Sequence, residues 1–451
     1  AAPHTAAGVH ALVSALATVG RTHEIEGAVL GFFNRQGLRA DDARENGDRQ
    51  RLLVRLADLQ DSRPEHAIRL LERAAEIDPQ GLGEGARRKL GRLYADVQVQ
   101  GPQVRANTEA LLHLDPLDEA SLAGLARHCA EIGERDRAHA IHQLLRIVSP
   151  GHAEAAAFLG AHDLLSVRGG KLDPNAVVDP APAHAGVVPA MTALWEGAPE
   201  LLAEELPRPQ LSEAAWIEAE TDRDTLLWKV WTELGTQVAL QGTRLADAAL
   251  IPDAHVEDGW ASVACLHPAV VLIGPSARAA DTAPRLRFCL GRAVFFTRPP
   301  SILVAGLPRP IFASVLAAAL QAFHPRHTRR LRPREEVDLA SRLGQTLARK
   351  LPIRLARQLS TLFKEREHEG FDSRDWRAWT QRSGNRVGLC LARNLGAALD
   401  ILGLPQDPAE RSAALKARAP HDADLRDLLV FAVSPAYVTA RRSLGFEVKS
   451  R

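Results

Sequence analysis

Three prolines, Pro79, Pro116 and Pro150, follow one another at intervals of 37 and 34 residues, and each closes a stretch with apolar residues at helical spacing. A proline cannot continue a helix, because it lacks an amide N–H and its ring crowds the preceding turn. Residues 50–150 are thereby confined to tandem helices of similar length. From Asp118 to Pro150, Leu122, Leu125, Ala126 and Cys129 share a face of one helix, and Ala138, Leu145 and Pro150 follow on the next. His142 stands there where a large apolar residue is expected. The preceding stretch carries Leu90, Gly91 and Tyr94, then Ala110, Leu111, Leu112 and Pro116. Before that, Leu53, Leu56 and Ala57 pair with Ala67, Ile68, Leu71, Ala74 and Pro79, and Leu12, Ala15, Leu16, Val19, Ala28 and Phe32 repeat the spacing more faintly. Leu159 and Gly160 begin a last, incomplete unit. Small residues at these positions let paired helices approach closely.

The pattern resembles the tetratricopeptide repeat family over about 150 residues. The resemblance implies TPR-like N-terminal helices over 1–45, TPR-like repeats over 46–166, and a superhelix whose concave groove holds a peptide, a helix or another protein. The plainer alternative is that these helices only pack against the rest of the chain. His139 and His142, three residues apart on one helix, are expected at the surface or in the groove rather than as metal ligands.

A chain of 451 residues makes roughly two to four domains. Lysine and arginine nearly cancel aspartate and glutamate, leaving a net charge of +1, so no global field draws nucleic acid or an anionic membrane. Cys129, Cys265, Cys289 and Cys390 show no CxxC spacing, which argues against a zinc ribbon or disulfide framework and fits a reducing cytoplasm. The longest apolar run, Pro310 to Leu320, falls short of a membrane span. The sequence begins Ala1-Ala2-Pro3 without a methionine, consistent with a processed or truncated N-terminus.

From 167 to 195 the composition changes. Gly169, Gly170, Pro174, Pro180, Pro182 and Pro189 mark a linker, with a helix around Leu194 to Leu206 after it. The remainder, 196–451, shows an amphipathic helix over Asp222–Leu240, strand-like runs at Ala248–Ile251, Trp260–Ala264 and Pro268–Ile273, and a helix over Arg285–Phe296.

That last helix carries Phe288-Cys289-Leu290-Gly291-Arg292. With the order helix, strands, helix, it resembles the HtpX-like zinc peptidases, whose helix would bear His-Glu-Leu-Gly-His. Two histidines at i and i+4 hold zinc in that family, the intervening glutamate polarises a water, and a glutamate on a later helix completes the site. Here Phe288 and Arg292 hold the histidine positions and Cys289 the general-base position. The later helix maps to Gln381-Arg382-Ser383-Gly384-Asn385, so Gln381 replaces the ligand glutamate and Asn385 the following aspartate. Phenylalanine cannot coordinate a metal and arginine opposes one. Without zinc, facing carboxylates would repel in a desolvated site, and neutral amides relax that cost. The stretch Arg382–Leu399 and the closing Asp427–Ser434 and Leu444-Gly445 extend a resemblance to large tetratricopeptide proteins of myxobacteria, which implies an architecture and a bacterial source.

Other signals are bland. The basic run from His324 to Arg334 lacks interleaved aromatics beyond Phe323 and fits a solvated loop. Arg342–Leu362 and Lys364–Glu369 fit solvent faces, Gly81-Leu-Gly-Glu-Gly85 lacks a P-loop lysine, and Ser434-Pro435 and Ser443-Leu-Gly445 form no GxSxG elbow. The expectation is a mainly α chain: a TPR-like α-solenoid joined to a degenerate, zincin-like α/β domain with a small sheet. It would act as a scaffold or assembly subunit without catalysis, metal or cofactor, binding protein partners or forming an oligomer, and not nucleic acid. The alternative is a ligand-binding or enzymatic domain reusing the old cleft through Cys289, Arg292, Gln381 and Asn385.

Overall fold

The computed structural model describes residues 5–21, 23–60, 62–99, 101–166, 169–178, 187–240, 242–252, 256, 259–324, 334–367 and 373–450. Helices dominate these residues, with a small mixed sheet, and none of the helices is long and apolar enough to cross a membrane. The chain divides into two compact units, Ala1–Gly133 and Glu134–Arg451.

The first unit contains α1 (Ala6–Thr18), α2 (His23–Gln36), α3 (Ala43–Asp58), α4 (Pro64–Ile77), α5 (Glu84–Asp96), α6 (Pro102–Leu114) and α7 (Glu119–Glu131). Packing is between near neighbours in sequence: α1 on α2, α3 on α4 and α5 on α6, then α1 and α2 on α3, α4 on α5 and α6 on α7. The core follows the helical spacing, with Leu53, Leu56 and Ala57 of α3 meeting Ala67, Leu71 and Ala74 of α4, and Leu90 and Tyr94 continuing it. Tyr94 Oη donates to Glu72 Oε1 at 2.9 Å, so the one polar atom of a buried ring is satisfied. At Gly91 a methyl group would meet Asn107 Nδ2 at 3.7 Å, an ordinary contact, so alanine as well as glycine fits this small-residue position.

The spaced prolines act as helix stops. Pro79 and Pro116 each lie two residues beyond a helix end, as does Pro150 beyond α8 (Arg135–Val148) in the second unit. The residues before them, Asp78, Asp115 and Ser149, have φ of −143°, −138° and −133°, extended as the proline ring demands. Asp118 restarts the chain as the N-cap of α7, accepting from the Ser121 N–H at 2.9 Å.

The unit boundary passes between α7 and α8, earlier in the chain than the proline-rich stretch at 167–195. α8 is buried nearly all round, including Ala138, Ile141, Leu144 and Leu145, which is the pattern of a core helix rather than an amphipathic surface one. His139 and His142 are 5% and 2% exposed, so neither lies at a surface or in a groove as expected. After α8 come α9 (Ala153–Ala161) and β1 (His162–Ser166). The expected linker in part holds structure: Val187 already begins α10 (Val187–Gly197), and after Ala198 the proline at 199 opens α11 (Pro199–Glu205).

Next follow β2 (Trp216–Ile217), α12 (Ala219–Asp222), α13 (Leu226–Gln237), β3 (Arg244–Asp247), β4 (Ala261–Ala264), β5 (Val270–Ile273), α14 (Pro275–Arg278) and α15 (Ala283–Phe296). The four strands β2–β5 form one sheet in the order β2-β3-β5-β4, with β3 and β5 parallel and the other neighbours antiparallel. β5 is buried along its length, as its β-branched run predicts. The strand expected at Ala248–Ile251 instead begins one residue after β3 as a single 3-10 turn, because Asp247 accepts from the Ala249 N–H at 3.0 Å and turns the chain.

The remaining elements are α16 (Pro299–Ala305), α17 (Arg309–Phe323), α18 (Arg334–Lys350), α19 (Ile353–Glu365), α20 (Ser373–Ala392), α21 (Leu395–Ile401), α22 (Pro408–Arg418), α23 (Ala423–Ala432), α24 (Pro435–Ser443) and β6 (Phe446–Ser450). The expected helix Arg342–Leu362 is two helices, broken before Pro352. The core of the basic run, 325–333, lies outside the described residues, as do Pro180, Pro182 and Ala1 to Pro3. β6 returns to pair antiparallel with β1, Leu164 opposite Val448. The first turn of α8 is tied to this C-terminal region: Asp136 accepts from Val448 N at 2.7 Å and Arg442 Nε at 2.6 Å, and its carbonyl accepts from the fully buried Arg441 at 3.3 Å.

Candidate functional site

α15 and α20 form the most extensive helix pair of the second unit, and α15 also rests on β4 and β5. The two segments singled out in the sequence therefore do meet. Their crossing is notched by glycines. A Cβ on Gly291 would lie 2.8 Å from Leu391 Cδ1, and one on Gly388 would lie 2.7 Å from the Phe288 carbonyl oxygen and 3.0 Å from Arg292 Cγ. A Cβ on Gly384 would strike the ring of Phe296. Bare backbone at these three positions lets the helices approach to contact, as glycine does in close helix packing.

Phe288 is wholly buried at this crossing and Cys289 is 2% exposed. The Cys289 thiol donates to the Leu286 carbonyl oxygen at 3.4 Å, back into its own helix. The Arg292 guanidinium lies 5.7 Å from the Phe288 ring centroid and 5.8 Å from that of Phe296, within cation–π range. Its charge also reaches α23. Burial raises the Asp424 carboxyl, while Arg382 and Arg292 oppose that rise. Gln381 is half-buried, and Asn385, one turn on along the same face, is 1% exposed with neither amide atom hydrogen-bonded in the described structure.

This arrangement offers zinc no ligand set. Phe288 supplies a hydrocarbon ring, Arg292 a fixed cation, and Asn385 a neutral amide in a packed interior. The side chains do not fit a metal ion, and no hydrolytic step can be derived through one. Full burial of Phe288 contributes about 2–3 kcal/mol to stability instead. Among the described residues, no group of three or more His, Cys, Asp and Glu is placed to hold a metal.

No family model, curated protein or solved structure matches the chain.

The repeat positions divide between the units. Leu90, Tyr94, Leu122, Leu125 and Ala126 are buried on α5 and α7 of the first unit, and Gly91 is half-buried beside them. Ala138 is buried on α8 and Pro150 half-buried just beyond it, both in the second unit.

Sequence inspection passed over one charged cluster. Glu233 of α13 accepts from Arg287 Nη2 at 2.7 Å and Nε at 3.2 Å, and from Arg393 Nη2 at 3.4 Å. Burial alone would raise the Glu233 carboxyl, but these arginines hold it below its ordinary value. The three residues line a cavity of about 610 Å³. They are up to 160 positions apart, and no local motif joins them.

Proposed function

We propose that the chain is a non-catalytic scaffold or assembly subunit. A TPR-like repeat array at the N-terminus takes a protein partner in its groove, and a degenerate, zincin-like domain over 196–451 gives a rigid docking surface. The carrying observation is the glycine-notched crossing of α15 and α20 with the Phe288 ring buried in it; on this reading the ring stands where a peptidase would hold its metal. The neighbour-by-neighbour packing of α1 to α7 supports the repeat array, since solenoid repeats contact mainly their neighbours. The near-neutral charge supports a protein partner over nucleic acid, and the four buried free cysteines fit a cytoplasmic setting.

A second reading has a specific observation behind it. The buried, unpartnered Asn385 amide favours a ligand in the old cleft, reached by Cys289, Arg292, Gln381 and Asn385. The close packing of Phe288 and Cys289 weighs against it.

The test is isolation of the intact chain from the cells that make it, through a small tag, followed by sizing with light scattering and mass spectrometry. A stoichiometric complex with another protein, or a defined homo-oligomer, supports the scaffold or assembly reading. A monomer with no stoichiometric partner overturns it.

A further inference from the structure

The cavity beside Glu233 lies wholly within the second unit, where Arg287 of α15 and Arg393, just past the end of α20, face Glu233 of α13. Three cationic side chains, Lys171, Arg287 and Arg393, line it against the single carboxylate of Glu233. Arg287 gives two N–H groups to that carboxylate and Arg393 gives one at the long distance of 3.4 Å. A guanidinium has five N–H donors, so most of those on Arg393 are not used on Glu233. Lys171, exposed, makes no ion pair among the described residues. The cluster therefore carries uncompensated positive charge in a partly desolvated place.

Two further features mark the cavity as built. Arg393, which ends α20 with φ = +58°, sets its guanidinium 3.9 Å from the Phe446 ring centroid. Burial and then the nearby charge of Arg287 both lower the Arg393 pKa, so an arriving anion would relieve a strained cation. The second feature is Gln237, also in the lining and only 9% exposed. Its Nε2 donates to Glu233 Oε1 at 3.1 Å, which fixes the amide orientation, because a flip would set oxygen against carboxylate. Gln237 Oε1 is thereby left buried with no donor. A buried acceptor without a partner is costly, and a donor from a ligand would satisfy it.

We propose that this cavity binds a small organic anion bearing an N–H or O–H donor, with its carboxylate or phosphate on Arg393 and Lys171 and its donor on Gln237 Oε1. The shared chemistry is a compact acid with a neighbouring amine or hydroxyl. The site is independent of the scaffold role and of the old cleft.

The experiment is calorimetric titration of the intact chain with O-phosphoserine, aspartate and inorganic phosphate, which separates phosphate from carboxylate and tests the donor arm. The expected result is saturable one-site binding, tighter for O-phosphoserine or aspartate than for inorganic phosphate. Lys171→Ala, at an exposed position, weakens every bound anion by about tenfold. Gln237→Leu removes the advantage of the donor-bearing acids over inorganic phosphate. No saturable binding up to about 10 mM of any probe, or binding indifferent to both substitutions, overturns the proposal.

Discussion

Gly388 lies against Phe288 so closely that a Cβ at 388 would fall 2.7 Å from the Phe288 carbonyl oxygen. The contact is with backbone, which cannot rotate away. Gly388→Ala is therefore expected to destabilise the second unit by about 2 kcal/mol or more, through overpacking. Gly124, exposed within α7 with nothing within 4 Å of where a Cβ would sit, is the control. Gly124→Ala should stabilise the first unit by about 0.5–1 kcal/mol. Denaturant unfolding of both variants checks the opposite signs; a neutral Gly388→Ala would mean the helices do not cross there.

Acid should loosen the second unit through His139. Burial, and then the charge of Arg441, push its pKa from 6.5 down to about 4. Between these values the unfolded chain binds a proton that the folded chain refuses. The stability from the neutral ring is full above the unfolded pKa and is lost as pH falls from 6.5 towards 4. At about pH 5 the loss is about 2 kcal/mol. Urea midpoints near neutrality and at that pH should converge less for wild type than for His139→Gln, which lacks this proton uptake. Equal acid sensitivity in the two would exclude His139 as the source.

Asp136 anchors the N-terminus of α8 to the C-terminal strand and helices. Its removal would leave Arg441, with 0% exposure, beside an emptied site. Asp136→Ala should cost about 3–5 kcal/mol, as loss of one partner of a buried pair does. Thermal unfolding followed by near-ultraviolet dichroism would show it. A change under about 1 kcal/mol would place Asp136 among ordinary surface pairs.

The cysteines should be inert in the native state. All four are buried, and burial pushes the Cys265 thiol up to about 12. Thiolate is the reactive form, so Ellman's reagent at about pH 8 should modify none of them until denaturant is added. Rapid native labelling of Cys289 would favour the alternative reading of a reactive cleft.

The helical stops were legible in the sequence because a proline restricts its predecessor whatever the tertiary setting. Pro79, Pro116 and Pro150 accordingly mark helix ends, with Asp78, Asp115 and Ser149 extended before them. The meeting of 288–292 with 381–385 was implied by the resemblance alone; that glycines 291, 384 and 388 let the helices touch shows only in the packing. The burial of α8 was not legible, since the helix is enclosed by α9, whose Phe158 ring lies 4.4 Å from that of His142, together with α22, α23, α24 and β6 from far along the chain. The strand placed at 248–251 failed because one side chain, Asp247, turned an apolar run into a 3-10 turn. The Glu233, Arg287 and Arg393 cluster had no signature at all. Three elements distant in sequence create it, and only their packing shows an excess of positive charge.

The most direct test of the scaffold reading is the zinc content of the intact purified chain, measured by elemental mass spectrometry after incubation with zinc and removal of the excess, alongside cleavage of unfolded casein. The predicted result is far less than one zinc per chain and no cleavage that a chelator suppresses. One tightly held zinc per chain, with peptidase activity abolished by chelation, would contradict it.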